Sequence, residues 1–268
     1  MNRRSQKFAS AIHSYYFIGV WIFVSIRFSE RLLLLDERSN DFLKTLVYLG
    51  GYCTIEQAQR LGLANSPTRV VAHLEALKKL GFARQIARYP VIYQVTKSAT
   101  RLAGSDLMAR RRQSQLTIRL KLLGVNFYLE AKAWPAEFTL PHAEKIALLK
   151  SAGCSGEALP HFRGQPFLWQ EFVLRRADGT IRVVAVDRAH NTVMYQTATL
   201  ARRYGRVLEH LSSQFRLIVA VASNHRAELY RKWAAKPIAC PFTHETLQPY
   251  RVKALLPQIQ ISHEEKMG

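Results

Sequence analysis

"NSPTRVVAHLEALKKLGFARQIARYPVIYQV", residues 65–95, carries three signals in a fixed order. Ser66 stands where a helix wants its N-cap, and Pro67 follows at the first helical position, where a missing N–H costs nothing. Val70, Val71, Leu74, Leu77 and Leu80 then recur at helical spacing and predict one buried face. Gly81 supplies a C-terminal stop. Past it, "FARQIARY" and "VIYQVTK" flank Pro90 and read as two β segments joined by a tight turn. Their apolar positions are Phe82, Ile86, Ile92 and Val95.

Two more helices precede this stretch. In "CTIEQAQRLGL", residues 53–63, Thr54 and Gln57 form a capping box, Ile55, Ala58 and Leu61 make an inner face, and Gly62 stops the helix. In "DERSNDFLKTLVYLGG", residues 36–51, Phe42, Leu43, Leu46, Val47 and Leu49 have helical spacing. Ser39 or Asn40 is the predicted cap there, and Gly50-Gly51 the end. Downstream, "TKSATRLAGSDLMARRRQ" predicts a closing helix that ends in Arg110–Arg112. A helix, a short turn, a capped helix and a basic hairpin make a winged helix-turn-helix over residues 37–112. In that motif the capped helix enters the major groove by its N-terminal residues. Thr68, Arg69 and His73 are then expected at base edges, with Lys78 further along. Arg84 and Arg88 on the hairpin, and Arg110, Arg111 and Arg112, are expected at phosphates. The competing expectation is a protein-interaction adaptor whose basic residues are only a solvated face, because fold does not fix function.

Composition favours the first expectation. The chain has 268 residues, 48% of them hydrophobic, with 39 Lys and Arg against 19 Asp and Glu, a net charge of +20. Such a balance points to a polyanionic partner: DNA, RNA or an anionic membrane surface. The basic excess is steepest between residues 37 and 112. Cys53, Cys154 and Cys240 are far apart, and no Cys/His cluster has zinc spacing, so no metal is assigned to them. No cofactor, glycine-rich phosphate loop or small-molecule substrate is evident. The expected compartment is the cytoplasm. Before residue 37, the twelve-residue run "YYFIGVWIFVSI" is shorter than the roughly 20 residues a membrane span needs. Residues 1–36 are read as an apolar extension. A packing element, a membrane-surface anchor and a misplaced start codon all remain open for it.

From residue 113 the pattern changes. Helices are predicted up to about Ala131 and over "HAEKIALLKSAG" (residues 142–153), with "SGEALPHFRGQP" (155–166) as a loop. "FLWQEFVLRR" and "IRVVAVDRA" form a hairpin around Asp178-Gly179, a strong turn signal. An amphipathic helix "YQTATLARRYGRVLEHL", a buried strand "FRLIVAVAS" and a last helix "NHRAELYRKWAA" follow. Residues 113–268 thus predict an α/β layer domain, and the whole chain an α+β protein.

"FLKTLVYLGGYCTIEQAQRLG", "VVAHLEALKKLGFARQ" and "VIYQVTKSATRLAG" resemble the winged-helix part of the replication-relaxation family, whose members belong largely to plasmids and integrative conjugative elements. The second half resembles that family's restriction-endonuclease-like core, in which a hairpin delivers acidic residues. In "VVAVDRAHNT" the expected first acid is Ala185, and only Asp187 remains. The resemblance therefore implies a nuclease-like domain that has lost catalysis, in a protein that binds double-stranded DNA. It implies a role in transcriptional regulation, or as an accessory to plasmid replication, relaxation or transfer. A homodimer and other mobile-element proteins are compatible partners. The alternative is a metal-dependent nuclease in which Glu171 pairs with Asp187 across the hairpin, with Arg188 as a nearby cation. A surface pairing of these acids with arginines is the simpler expectation, and removal of Asp187 is then expected to change stability modestly. The hairpin and the helix bearing Arg202, Arg203 and Arg206 are expected to lie along a DNA backbone or a partner.

Overall fold

The computed structural model of the chain describes residues 27–105, 113–133, 135–168, 171–187, 191–211, 214–221, 223–234, 238–239 and 246–247. The fold is mixed α+β, with helices packed on small sheets. One compact unit is Met1–Leu35 and the other Asp36–Gly268. Within the first, one helix is described, α1 (Phe28–Leu33). The apolar run at 15–26 and the Arg110–Arg112 triplet both lie outside the described residues.

The long unit opens with α2 (Glu37–Tyr48). Its cap is Asp36, whose carboxylate accepts the Ser39 N–H at 2.6 Å. The predicted caps Ser39 and Asn40 lie inside the helix. A charged acceptor at the positive helix end displaces a neutral one three residues later. Gly50 and Gly51 take φ of 102° and 82° and turn the chain into β1 (Tyr52–Thr54), a short strand that the sequence did not predict. The predicted capping box of Thr54 and Gln57 then starts α3 (Ile55–Arg60). Ser66 caps α4 (Pro67–Lys79) as predicted. Val70, Leu74 and Leu77 are buried, whereas Val71 is 36% exposed. The buried face of α4 is narrower than predicted, because Val71 sits about 100° round the helix from Val70.

Strands β2 (Ala83–Arg88) and β3 (Val91–Val95) form the predicted hairpin, and β1 adds to β3 to give a three-stranded sheet in the order β1-β3-β2. The closing helix α5 (Lys97–Leu102) is much shorter than predicted and stops before Gly104, whose φ of 60° breaks it.

The second half is built on a four-stranded sheet. Its strands are β4 (Ala136–Thr139), β7 (Phe172–Arg176), β8 (Ile181–Val186) and β9 (Phe215–Ala220), adjacent in that order. Pairing is antiparallel except between β8 and β9, which run parallel. The edge strand β4 escaped prediction because Pro135 and Pro141 flank it and look like loop punctuation. Between β4 and β7 lie α7 (His142–Ser151) and the two-residue strands β5 (His161–Phe162) and β6 (Gln165–Pro166). The crossover from β8 to β9 is α8 (Val193–Leu211), and α9 (Asn224–Ala234) follows. Residues of α7, α8 and α9 share one apolar cluster with Val173, Val183, Leu217 and Val219 on one sheet face.

The other face is covered by α6 (Gln115–Ala131), which also serves the small sheet. Its N-terminal half contributes Ile118 and Leu122 to a cluster with Tyr52 and Ile92. Gln57, buried on α3, donates to the Leu122 carbonyl at 2.9 Å and to Asn126 Oδ1 at 2.7 Å. Its second half lies on the large sheet, where Phe127 packs its ring 5.2 Å from that of Phe172. Gly124 makes the approach possible: a Cβ there would meet Phe172 Cζ at 3.2 Å.

Substituting Gly124→Val should therefore destabilise the chain by about 1–3 kcal/mol, the usual cost of overpacking. In Gly124→Ala, the better helix propensity of alanine, about 1 kcal/mol, should offset most of a smaller clash. Urea denaturation distinguishes the two; equal stability of the valine variant and the parent would mean that α6 does not press on Phe172.

Candidate functional site

The outer surface of α4 divides the predicted DNA contacts into two groups. Thr68 and Arg69 are exposed in its first turn, just past the Ser66 cap. His73 is half-buried and leans the other way: its Nδ1 lies 4.0 Å from Asp36 Oδ2, beside the cap of α2. Lys78 is tied to Glu75 at 2.9 Å, and Glu75 also accepts the Tyr93 hydroxyl at 3.0 Å. The Lys78 hydrogen bond is the main influence holding the Glu75 carboxyl below its ordinary range. On β2, Arg84 donates through Nε and Nη2 to Gln94 Oε1, at 3.0 and 2.8 Å, and Gln94 is buried. Arg84 thus braces the hairpin. Arg88 ends β2 exposed, next to Tyr89, which is 96% exposed at the tip before the cis Tyr89–Pro90 bond. Of the predicted contacts, Thr68, Arg69 and Arg88 are therefore the open ones, while His73, Lys78 and Arg84 have partners within the fold. The i,i+3 spacing of Glu75 and Lys78 was a signal for one of these pairs; the register that sets Arg84 opposite Gln94 was not visible in sequence.

The second cluster is buried in the large sheet. Phe172 on β7 stands opposite Val184 on β8, so Glu171 extends to the position beside Ala185, two residues from Asp187 and on the same sheet face. Both acids are buried, at 3% and 1% exposure, and neither forms the predicted surface pair. Asp187 accepts two parallel hydrogen bonds from Arg226, Nε to Oδ2 and Nη2 to Oδ1, each 2.7 Å. The Tyr230 hydroxyl donates to Oδ1 at 2.7 Å. Arg226 also donates to the Asn191 carbonyl. The hydrogen bond that Arg226 donates to Asp187 keeps it above the ordinary arginine value, and burial, then Asp187, pushes Tyr230 up. Arg226 on α9 is a cation that the sequence did not suggest; Arg188 lies outside the described residues.

Glu171 has a different partner. Arg203 Nη1 lies 2.9 Å from Glu171 Oε1, and Arg203 Nη2 donates to the Phe167 carbonyl. The Arg203 guanidinium sits over the rings of Phe167 and Tyr204, 5.6 and 5.7 Å from their centres. Arg203 therefore faces the core, not a DNA backbone. Lys145, on α7 and 3% exposed, donates to the Glu171 backbone carbonyl at 2.7 Å. Burial pushes this amine down to about 8, partly opposed by the Glu171 charge. Glu171 Oε2 and the Tyr204 hydroxyl make no hydrogen bond. Burial, then the neighbouring Glu171, raises the Tyr204 phenol.

Among the described residues, no group of three or more His, Cys, Asp or Glu is placed to hold a metal ion. Cys53 and Cys154 are free and buried, and burial pushes the Cys53 thiol up to about 12. Among the same residues, no helix is long and apolar enough to cross a membrane. No family model, curated protein or solved structure matches the chain.

The expectation of a modest effect at Asp187 is overturned by its burial. Asp187→Ala leaves a half-buried guanidinium and a buried phenol without their acceptor and should cost about 3 kcal/mol or more. The double variant Asp187→Leu/Arg226→Met should recover much of that loss. Equal stabilities for the single and double variants in urea would show that the pair is not coupled.

Stability should also depend on alkaline pH. With Lys145 near 8 in the fold and 10.5 ordinarily, the unfolded chain holds more protons above pH 8, so stability rises with pH there. Lys121, lowered by burial to about 8, adds to the rise. Cys53 acts oppositely: above its ordinary 9.0 the unfolded thiol loses its proton while the folded one keeps it, up to about 12. Stability should climb from pH 8 to 9, more slowly from 9 to about 10, where two lysines still outweigh one thiol, and turn down only near the lysines' ordinary 10.5, and Lys145→Gln should shrink the climb. Urea midpoints across that range measure both.

Proposed function

We propose that the chain binds duplex DNA through a winged helix made by α2, α3, α4 and the β2–β3 hairpin. The observation that carries this is the Ser66-capped N-terminus of α4, with Thr68 and Arg69 exposed beside it and Arg88 exposed at the end of the hairpin. A helix enters the major groove by that end, and exposed arginines suit both base edges and phosphates. The net charge of +20 supports a polyanionic partner. Thr68 and Arg69 are the base-reading candidates, and Arg88 meets the adjacent phosphates. His73, Lys78 and Arg84 are engaged within the fold, with Asp36, Glu75 and Gln94.

The large sheet with α6, α8 and α9 is proposed as a restriction-endonuclease-like core kept for its shape. A hard cation such as Mg²⁺ wants several oxygen ligands. Asp187 instead gives both oxygens to Arg226, and Glu171 gives one to Arg203. The setting in a mobile element, in transcriptional control or as an accessory to replication, relaxation or transfer, rests on the family resemblance of the sequence. The rival reading as a metal-dependent nuclease is favoured by one observation, the buried Glu171 Oε2 that makes no hydrogen bond. Its test is incubation of supercoiled plasmid with the full chain in Mg²⁺ or Mn²⁺. Intact plasmid is expected; nicking that disappears in Glu171→Gln would establish the nuclease.

For DNA binding, fluorescence anisotropy with a duplex selected from a random pool, and with a scrambled one, is the deciding measurement. Arg88→Ala should weaken both alike and reduce the slope of log affinity against log salt by about 0.9. Arg69→Ala should weaken the selected duplex more, by about 1–3 kcal/mol. Arg84→Ala should act through hairpin stability. Unchanged binding in both Arg69→Ala and Arg88→Ala would instead favour the adaptor.

A further inference from the structure

We infer that Arg176, Arg182 and Arg216 form a second phosphate-binding surface, at one end of the large sheet, which takes the backbone of duplex DNA. The inference rests on the proposal that the chain binds DNA, and it adds a contact outside the winged helix.

The strand register places these residues together. Leu174 on β7 stands opposite Arg182 on β8, and Arg182 is paired with Arg216 on β9. Arg176 lies two residues beyond Leu174 and therefore on the same face. This is the face that α6 covers at its other end, where Gly124 meets Phe172 and Val186. Between the two ends lies a dry row, with Leu174, Val184 and Ile218 all buried. Beyond that row the face turns from aliphatic to guanidinium on three adjacent strands. Arg216 is exposed, and Arg176 and Arg182 are half-exposed.

Three guanidiniums and the carboxylate of Asp178 meet at this end of the sheet. Asp178, in the β7–β8 turn, lies 3.6 Å from Arg176 Nη1. It is the acid that acts on Arg182, and its side chain is 54% exposed. Burial, and then Arg176, lowers Arg182 below the ordinary arginine value; Asp178 opposes this and Arg216 adds to it. Like charges set opposite each other across strands destabilise a sheet. Asp178 is also occupied in accepting the Thr180 N–H at 2.9 Å, which shapes the turn.

A phosphodiester offers two charged non-bridging oxygens on a tetrahedral phosphorus, a pair that a planar guanidinium fork can meet with parallel N–H donors. Two strand spacings of about 4.8 Å, with the two-residue stagger of Arg176 along its strand, set the outer two arginine stems about 12 Å apart. That is too wide for one phosphate and suits successive phosphates along a chain. Each contact would release condensed counterions and so contribute to the salt dependence of binding.

The test is anisotropy of the full chain on a duplex of about three helical turns, across a salt series. The triple variant Arg176→Gln/Arg182→Gln/Arg216→Gln should lose roughly tenfold or more in affinity at moderate salt. Its log–log slope should fall by about 2–3, at about 0.9 per contact. Two controls guard against a folding defect. The triple lysine variant should keep the slope while losing part of the affinity, and Arg216→Gln alone, at an exposed position, should reduce the slope by about 0.9. The inference is overturned if both glutamine variants keep the parent slope while Arg88→Ala lowers it, which leaves the winged-helix reading standing. It is also overturned if the triple variant binds DNA as the parent does but loses binding to phosphatidylserine vesicles, which makes the surface a membrane contact. A parent chain that binds no duplex at all sinks the DNA reading itself, and this inference with it.

Discussion

Helix α6 is the element the rest of the long unit depends on, because both sheets use it as a wall. One side chain sets the distance of approach by being absent: Gly124 lets the helix backbone settle on Phe172. At its other half, Ile118 and Leu122 complete the cover of Tyr52 and Ile92. The buried amide of Gln57 then fixes the helix in rotation, since it is satisfied only where the Leu122 carbonyl and Asn126 arrive together. An unsatisfied buried amide is costly, so this bond selects one docking geometry from many similar apolar ones. Residues 36–268 accordingly pack as one compact body.

The same chemistry decides what the buried acids do. Taken out of water, a carboxylate needs partners, and the fold brings each of the two its own arginine from a different helix. Asp187 receives its cation from α9 and Glu171 from α8. Each pair ties a helix to the sheet, because removing either partner leaves the other charge without its counterion. Beside these pairs, burial lowers the Lys145 amine to about 8 against the opposing Glu171 charge, and one Glu171 oxygen makes no hydrogen bond. The exposed arginines of α4 and the hairpin tip lie outside these networks.

Local signals were legible in the sequence and long-range ones were not. The Ser66 cap with Pro67, the Thr54–Gln57 box and the Asp178-Gly179 turn each reside in a few consecutive residues, and each forms as predicted. The closing helix was overextended because Gly104 was read as part of a helical run. Strands β1 and β4 were missed because three or four residues carry too little periodicity to be told from a loop. At the candidate site, Glu171 and Asp187 were recognisable as acids on neighbouring strands. That Arg226, thirty-nine residues downstream, would close on Asp187 depends on how α9 docks, which no local pattern encodes. Arg203 was misread for the same reason: on an amphipathic helix rich in arginine, the sequence does not say which of them turns inward.

The parallel pairing of β8 with β9 has a consequence for how the chain comes together in time. Antiparallel neighbours can zip from a turn, as β7 and β8 do around Gly179, but a parallel partner must wait for its crossover. Here that crossover is the whole of α8, so β9 joins only after residues 193–211 have been made and wound. Until then β8 has an open edge of Val183, Val184 and their neighbours, the kind of strand that recruits similar strands from other molecules. The early helices and hairpin close on local contacts and so form quickly. During synthesis the chain therefore passes through an interval in which its first half is shaped and an apolar strand, β8, is still unpaired on one side, the stage at which association with other chains competes with folding.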